Sequence, residues 1–147
     1  MKRILITGAG SYIGLHVKAW LEQRPEDYQV ETLSLRAEGW REHSFQGYDA
    51  VLHAAGIVHQ PQSKADPAQA ELYDRVNHRL TLEVAQKAKE EGVGQFLFLS
   101  TESVYGLHAP VGKTVTITKD TPLHPVDNYG ISKAKAEEGL AALRDEY

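Results

Sequence analysis

The sequence predicts an α/β fold: a doubly wound parallel sheet with helices on both faces. Two observations predict it. Short β-prone segments that are apolar on both faces alternate with segments of helical apolar spacing, and only a sheet covered on both sides buries such strands. A glycine-rich turn also joins the first strand to the first helix, the junction typical of such sheets.

The elements follow in order. Arg3 to Thr7 (RILIT) reads as a buried strand, and Ile13 to Gln23 as a helix with apolar positions at Ile13, Val17, Trp20 and Leu21. Arg24-Pro25-Glu26-Asp27 ends it. Tyr28 to Leu35 alternates as a second strand. Ala37 to Gly47 is a polar connection. Ala50 to Ala54 is a third strand, stopped by Gly56. A loop runs from Gln60 to Pro67. In Ala68 to Glu91, Leu72, Val76, Leu80, Val84 and Ala88 recur every four residues, the pattern of a long amphipathic helix that Gly92 and Gly94 end. Gln95 to Ser100 is the fourth strand and Tyr105 to Pro125 a loop. Tyr129 to Arg144 is a last helix, with Asp127 or Asn128 as its N-cap.

The 147 residues fit one domain, 1–147. The net charge of −4 has both signs mixed along the chain, which speaks against a nucleic-acid backbone binder. There is no cysteine, so disulfides and thiolate metal sites are excluded and a cytoplasmic setting is expected. No apolar run approaches the roughly 20 residues that a bilayer span needs. His53, His59, His78 and the other histidines lack metal-ligand spacing, so no metal is expected.

Thr7-Gly8-Ala9-Gly10-Ser11-Tyr12-Ile13-Gly14 lies between the first strand and the first helix. A helix N-terminus there aims backbone N–H groups and a positive dipole end at one point, and glycine lets a pyrophosphate approach. Further along, Tyr129-Gly130-Ile131-Ser132-Lys133 sets a phenol and an ammonium four residues apart on one helical face. A phenol of pKa about 10 is a poor base at neutral pH, and a nearby cation lowers that value. Leu99-Ser100-Thr101-Glu102-Ser103-Val104-Tyr105-Gly106 follows the carboxyl end of a strand, where open α/β sheets bind ligands.

Taken together, these segments resemble the extended short-chain dehydrogenase/reductase family, the NAD-dependent epimerases and dehydratases, with a Rossmann-like fold. The glycine turn looks like that family's T-G-x-x-G-x-x-G, with Ser11 in place of the middle glycine and Gly10 supplying the missing freedom. Pro125 to Gly130 resembles the approach to its catalytic helix, His53-Ala54-Ala55-Gly56 its segment beside the cofactor, and Asn77 the asparagine of its long helix.

The resemblance implies roles. Thr101, with Ser100 as the near alternative, would orient a substrate oxygen. Tyr129 would be the general acid/base, Lys133 would bind the nicotinamide ribose and depress the tyrosine pKa, and Asn77 would complete the catalytic set. Gly8, Gly10, Ser11, Tyr12, Ile13, Gly14, Ala54, Ala55, Gly56 and Ser100 would line the cofactor. Hydride transfer on a nucleotide sugar or other secondary alcohol is the implied reaction. The family's 4,6-dehydratases carry an Asp-Glu pair after the catalytic Thr. Glu102-Ser103 stands here instead, which favours epimerisation or reduction.

NAD enzymes put an acidic residue at the end of the second strand. Ser34 takes that place, with Arg36 next to it, and a hydroxyl plus an arginine suits a 2′-phosphate. The expected cofactor is therefore NADP rather than NAD. Trp40 is a candidate adenine platform or, equally, a shielding tryptophan. Members of the family are about twice this long, so the resemblance implies a sheet truncated before its last strands, leaving Phe96 to Leu99 as an edge, and no substrate-binding part. It also implies a homodimer through the helices of Asn77 and Tyr129. A non-catalytic NAD(P)-binding or redox-sensing module is the alternative function.

Overall fold

The computed structural model describes residues 1–58, 67–107 and 109–144, and for Glu38 the backbone alone. His59 and the expected loop of residues 60–66 lie outside the described residues. The chain folds as two compact units, Met1–Gly56 with Glu83–Leu99, and Ile57–Leu82 with Ser100–Tyr147.

The first unit holds a parallel four-stranded sheet with the order β2-β1-β3-β4, formed by β1 (Lys2–Thr7), β2 (Tyr28–Leu33), β3 (Ala50–His53) and β4 (Gln95–Phe98). Its register sets Ile4 beside Val30 and Ala50, and Val51 beside Phe96. Apolar side chains suit a strand covered on both faces, and Leu5, Ile6 and Val51 are fully buried. Asp49 fixes where β3 begins. Its carboxylate accepts from the Arg3 amide at 2.7 Å and from Lys2 Nζ at 2.9 Å. Helix α1 (Tyr12–Leu21) packs on β1 and β2. β4 is one edge of the described sheet, and its Leu97 is exposed. This is a Rossmann-like α/β fold.

The connection expected at 37–47 is more than a polar link. It makes a 3₁₀ turn (Glu38–Glu42) and buries Trp40, Phe45 and Tyr48. Glu91 ties it down: its carboxylate accepts from the Phe45 amide at 2.5 Å and from Ser44 Oγ at 3.0 Å.

In the second unit, α2 (Pro67–Tyr73) runs into a π-helical turn, Asp74–Arg79, and then into α3 (Leu80–Glu90), whose last turns belong to the first unit. The sequence pattern predicts one unbroken α-helix here. In the wide turn Asp74 binds Lys135, His78 and Arg79, and Asn77 is fully buried. π-Helical turns of this kind occur often at functional sites. A second 3₁₀ turn, Glu102–Tyr105, precedes the long loop, and α4 (Asn128–Leu143) closes the unit. Asp127 is the N-cap of α4, accepting from the Gly130 amide at 2.7 Å. α4 packs on α2, on the π-helical turn and on the second 3₁₀ turn. Among the described residues, no helix is long and apolar enough to cross a membrane.

Candidate functional site

In the first unit the site begins where β1 stops. Thr7 is fully buried, with its Oγ1 2.8 Å from His53 Nδ1, which joins the carboxyl ends of β1 and β3. Gly8 follows at φ 85° and donates its amide to Leu33 O of β2 at 2.9 Å. A side-chain carbon on Gly8 would stand 2.7 Å from the Ala55 amide nitrogen. Both its dihedral and its neighbours therefore demand glycine. Strand order reverses between β1 and β3, the place where open α/β sheets take ligands.

Ser11 is the N-cap of α1, its Oγ accepting from the Gly14 amide at 3.0 Å. Its φ of −75° is ordinary, so serine fits the middle position of the turn without strain. Gly14 lies against the core, where an added carbon would meet Ile6 Cγ2 at 3.1 Å. Gly10 corrects an expectation. It is not among the positive-φ glycines, so it supplies no left-handed freedom. What it offers is room: nothing lies within 4 Å of a carbon built on it. The side chains of Tyr12 and Ile13 are exposed, so these residues can contribute to an anion site through their backbone N–H groups at the start of α1. Ala54, Ala55 and Gly56 follow β3, with the Ala54 amide donating to Thr7 O at 3.1 Å.

Past the end of β2, Ser34 and Arg36 are both exposed, and the Arg36 amide donates to Ser34 Oγ at 3.4 Å. Glu31 is committed elsewhere. It accepts from Tyr48 Oη at 2.6 Å and from Arg3 at 3.3 Å, and the tyrosine hydrogen bond holds its carboxyl below the usual range. Trp40 is a second correction. The ring is only 3% exposed, with the Arg41 guanidinium 4.8 Å from its centroid. A ring buried in this way has no open face for an adenine.

In the second unit, Thr101 caps the second 3₁₀ turn, its Oγ1 accepting from the Ser103 amide at 3.2 Å and donating to Glu102 at 2.9 Å. Tyr129 sits in the first turn of α4, with Tyr73 edge-on at 6.3 Å. Burial raises its phenol above the ordinary tyrosine value. A hydrogen bond with Thr101 acts the other way, while the charges of Glu102 and Asp127 add to the rise. The resemblance implies a phenol lowered by Lys133. The direction here is the opposite, because burial is the largest influence on the phenol. Lys133 is itself 5% exposed, and burial lowers its ammonium to about 8, against the opposing charge of Glu137.

Asn77 lies in the π-helical turn. It has no exposure at all, so its side chain is engaged inside the unit. Its amide clamps Ile57 from both sides, Oδ1 accepting from Ile57 N and Nδ2 donating to Ile57 O, each at 2.9 Å. Nδ2 also donates to Ser132 Oγ at 3.2 Å, and Ser132 donates in turn to Tyr129 O at 2.8 Å. Asn77 thus ties the backbone of Tyr129, through Ser132, to that of Ile57. Ser132 and Glu137 are missing from the sequence-derived set. Ser132 stands inside the Tyr129–Lys133 stretch, and its three-residue spacing from Tyr129 is the signal that could have found it. Glu137, one further turn along from Lys133, accepts a hydrogen bond from Ser100.

The model of the NAD dependent epimerase/dehydratase family matches residues 4–147. The GDP-6-deoxy-D-mannose reductase of Pseudomonas aeruginosa is 30% identical over 146 residues, covering 92% of this chain and 45% of that protein. The UDP-glucose 4-epimerase of Azospirillum brasilense is 30% identical over 161 residues, covering 94% and 43%. Among solved structures, a short-chain dehydrogenase/reductase superfamily protein from Agrobacterium tumefaciens with bound NAD superposes with a TM-score of 0.72 at 28% identity, over 94% of this chain and 44% of that one. RMD from Pseudomonas aeruginosa complexed with NADPH gives 0.67 at 27%, over 94% and 48%. The chain spans about half the length of the relatives it matches. It belongs to the NAD dependent epimerase/dehydratase family.

Proposed function

We propose that this chain carries the cofactor-binding and proton-transfer residues of a nucleotide-sugar epimerase or reductase that uses a nicotinamide dinucleotide, NADP in preference to NAD. The observation that carries the reading is the second unit's cluster. Thr101 is hydrogen-bonded to the Tyr129 phenol, and the buried Lys133 lies one turn further along the same helix.

The residues present fit such a cofactor. The open space over Gly10 at the N-terminus of a ten-residue helix suits a pyrophosphate. Gly8, Ser11, Tyr12, Ile13 and Gly14 shape that turn, Ala54 to Gly56 flank it, and Ser34 with Arg36 suits a 2′-phosphate. Because Glu31 is held by Tyr48 and Arg3, it is not free to serve as the acid that marks an NAD site. When bound, the nicotinamide supplies hydride acceptance and donation.

The protein's own part is proton handling. Tyr129 Oη takes a proton from, or returns one to, the substrate oxygen, which Thr101 orients. Burial keeps the phenol protonated at neutral pH, so the chain as it stands holds a proton ready to give. Lys133 would hold the cofactor ribose through its ammonium. Ser103, rather than an acid, follows Glu102, which supports epimerisation or reduction over dehydration.

The test is turnover on UDP- and GDP-sugars by the enzyme and its Tyr129→Phe variant. Loss of turnover by at least about 100-fold, with cofactor affinity retained, is the expected result for a general acid/base. Unchanged turnover would remove Tyr129 from the role.

A further inference from the structure

α4 presents Tyr129, Lys133 and Glu137 at intervals of four residues, hence along one face. The segment that meets this face is Ser100-Thr101. Thr101 is hydrogen-bonded to the phenol of Tyr129 at one end. Ser100 Oγ donates to the carboxylate of Glu137 at the other. Lys133 is the middle member of the row and is the most buried of the three.

An ammonium taken out of water tends to lose its proton, and a carboxylate nearby opposes that loss. Two acidic groups of the neighbouring turns are turned to partners of their own. Asp74 of the π-helical turn binds Lys135 at 2.9 Å, with His78 and Arg79 on the same carboxylate. Glu102 of the 3₁₀ turn accepts from Thr101 at 2.9 Å. Tyr73 of α2 lies edge-on to Tyr129, and its hydroxyl donates to Val58 O at 3.0 Å. The charge that acts on Lys133 against burial is that of Glu137.

We propose that Glu137, held by Ser100, is a positioning residue for Lys133: its carboxylate keeps the buried ammonium charged and aligned for a ribose hydroxyl. The role of Lys133 rests on the function proposed above, while the link between Glu137 and Lys133 stands on this chain alone. The Ser100 hydroxyl stops the Glu137 side chain from swinging into solvent.

The experiment is a pH titration of the Lys133 side chain by NMR, with lysine labelled at Cε and the resonance assigned by a Lys133→Arg spectrum. It is run on the wild-type chain and on Glu137→Gln, Ser100→Ala and Glu138→Gln. The Glu137→Gln change should lower the Lys133 midpoint by about half a pH unit or more, ~3-fold in proton affinity. Ser100→Ala, which removes only a hydroxyl, should lower it in the same direction by less. Glu138→Gln, at an exposed neighbour, should leave it in place. An unmoved midpoint in both Glu137→Gln and Ser100→Ala overturns the proposal, and so does an equal shift in Glu138→Gln. If Glu137→Gln does not fold, Ser100→Ala decides alone. Separate titration of the wild-type chain with NADP and NAD keeps the outcomes apart. Absent binding there strikes the proposed function, while the Lys133 midpoint still decides this inference.

Discussion

Gly8 and Ala55 meet so closely that a side-chain carbon on the first would stand 2.7 Å from the amide nitrogen of the second. The loop after β1 and the loop after β3 are thereby packed backbone to backbone, next to the Thr7–His53 hydrogen bond at 2.8 Å. Gly10, two residues on, touches nothing at the same position. One glycine is required by the fold, and the other is free for a ligand.

The contrast predicts opposite behaviour for two alanine variants. Gly8→Ala carries a left-handed backbone cost of about 1–2 kcal/mol and a contact with backbone that cannot yield, so it should lose at least about 2 kcal/mol in urea denaturation. Gly10→Ala should stay within about 0.5 kcal/mol of wild type, as substitutions away from packed features do. Its cofactor affinity should nevertheless fall, as calorimetry would register. Equal destabilisation by the two would contradict the assignment.

The π-helical turn predicts a stability effect at Asn77. Removing its amide leaves the amide N–H and carbonyl of Ile57 without these partners. Unsatisfied groups of this kind cost about 1–3 kcal/mol each, so with two of them Asn77→Ala should lose about 2–6 kcal/mol. A variant of wild-type stability that had lost turnover alone would instead return Asn77 to a catalytic role.

Much of this was legible in the sequence, and the exceptions share a cause. The strands were readable because residues such as Leu5, Ile6 and Val51 fill a sheet covered on both sides, and local composition encodes that. The Tyr129–Lys133 spacing was readable because one helix carries both residues. What local pattern could not show was which distant group a polar side chain meets. Asn77 finds Ile57 twenty residues away, and Glu137 finds Ser100 thirty-seven away. The π-helical turn is hidden for the same reason, since Leu72, Val76 and Leu80 keep a regular apolar stripe through it. Local pattern left Trp40 open between an adenine platform and a shielding ring, because only the fold shows that it is buried with Phe45. The direction of the Tyr129 shift was also out of reach, because it depends on burial and not on spacing.

Asp74 predicts an acid limb. Its carboxyl is lowered from 3.8 to about 2, first by the hydrogen bond from Lys135 and then by that from His78. A carboxyl lowered on folding stabilises the folded state at pH values above its unfolded value. That contribution is fully present above about pH 4 and is lost as pH falls toward 2. Urea midpoints measured from pH 5 down to 2 should therefore fall more steeply for wild type than for Asp74→Asn. The difference should be on the order of 1 kcal/mol, discounted for partial exposure. Parallel curves would show that Asp74 does not couple the π-helical turn to Lys135.

Calorimetric titration of the chain with NADP and with NAD tests whether this is a nicotinamide-dinucleotide site. Saturable binding at one site is predicted, tighter for NADP, and Arg36→Ala should weaken NADP by about tenfold, the worth of a charge-assisted hydrogen bond, while changing NAD little. A folded chain that gives no binding heat with either dinucleotide, and no cofactor-dependent rise in melting temperature, would contradict it.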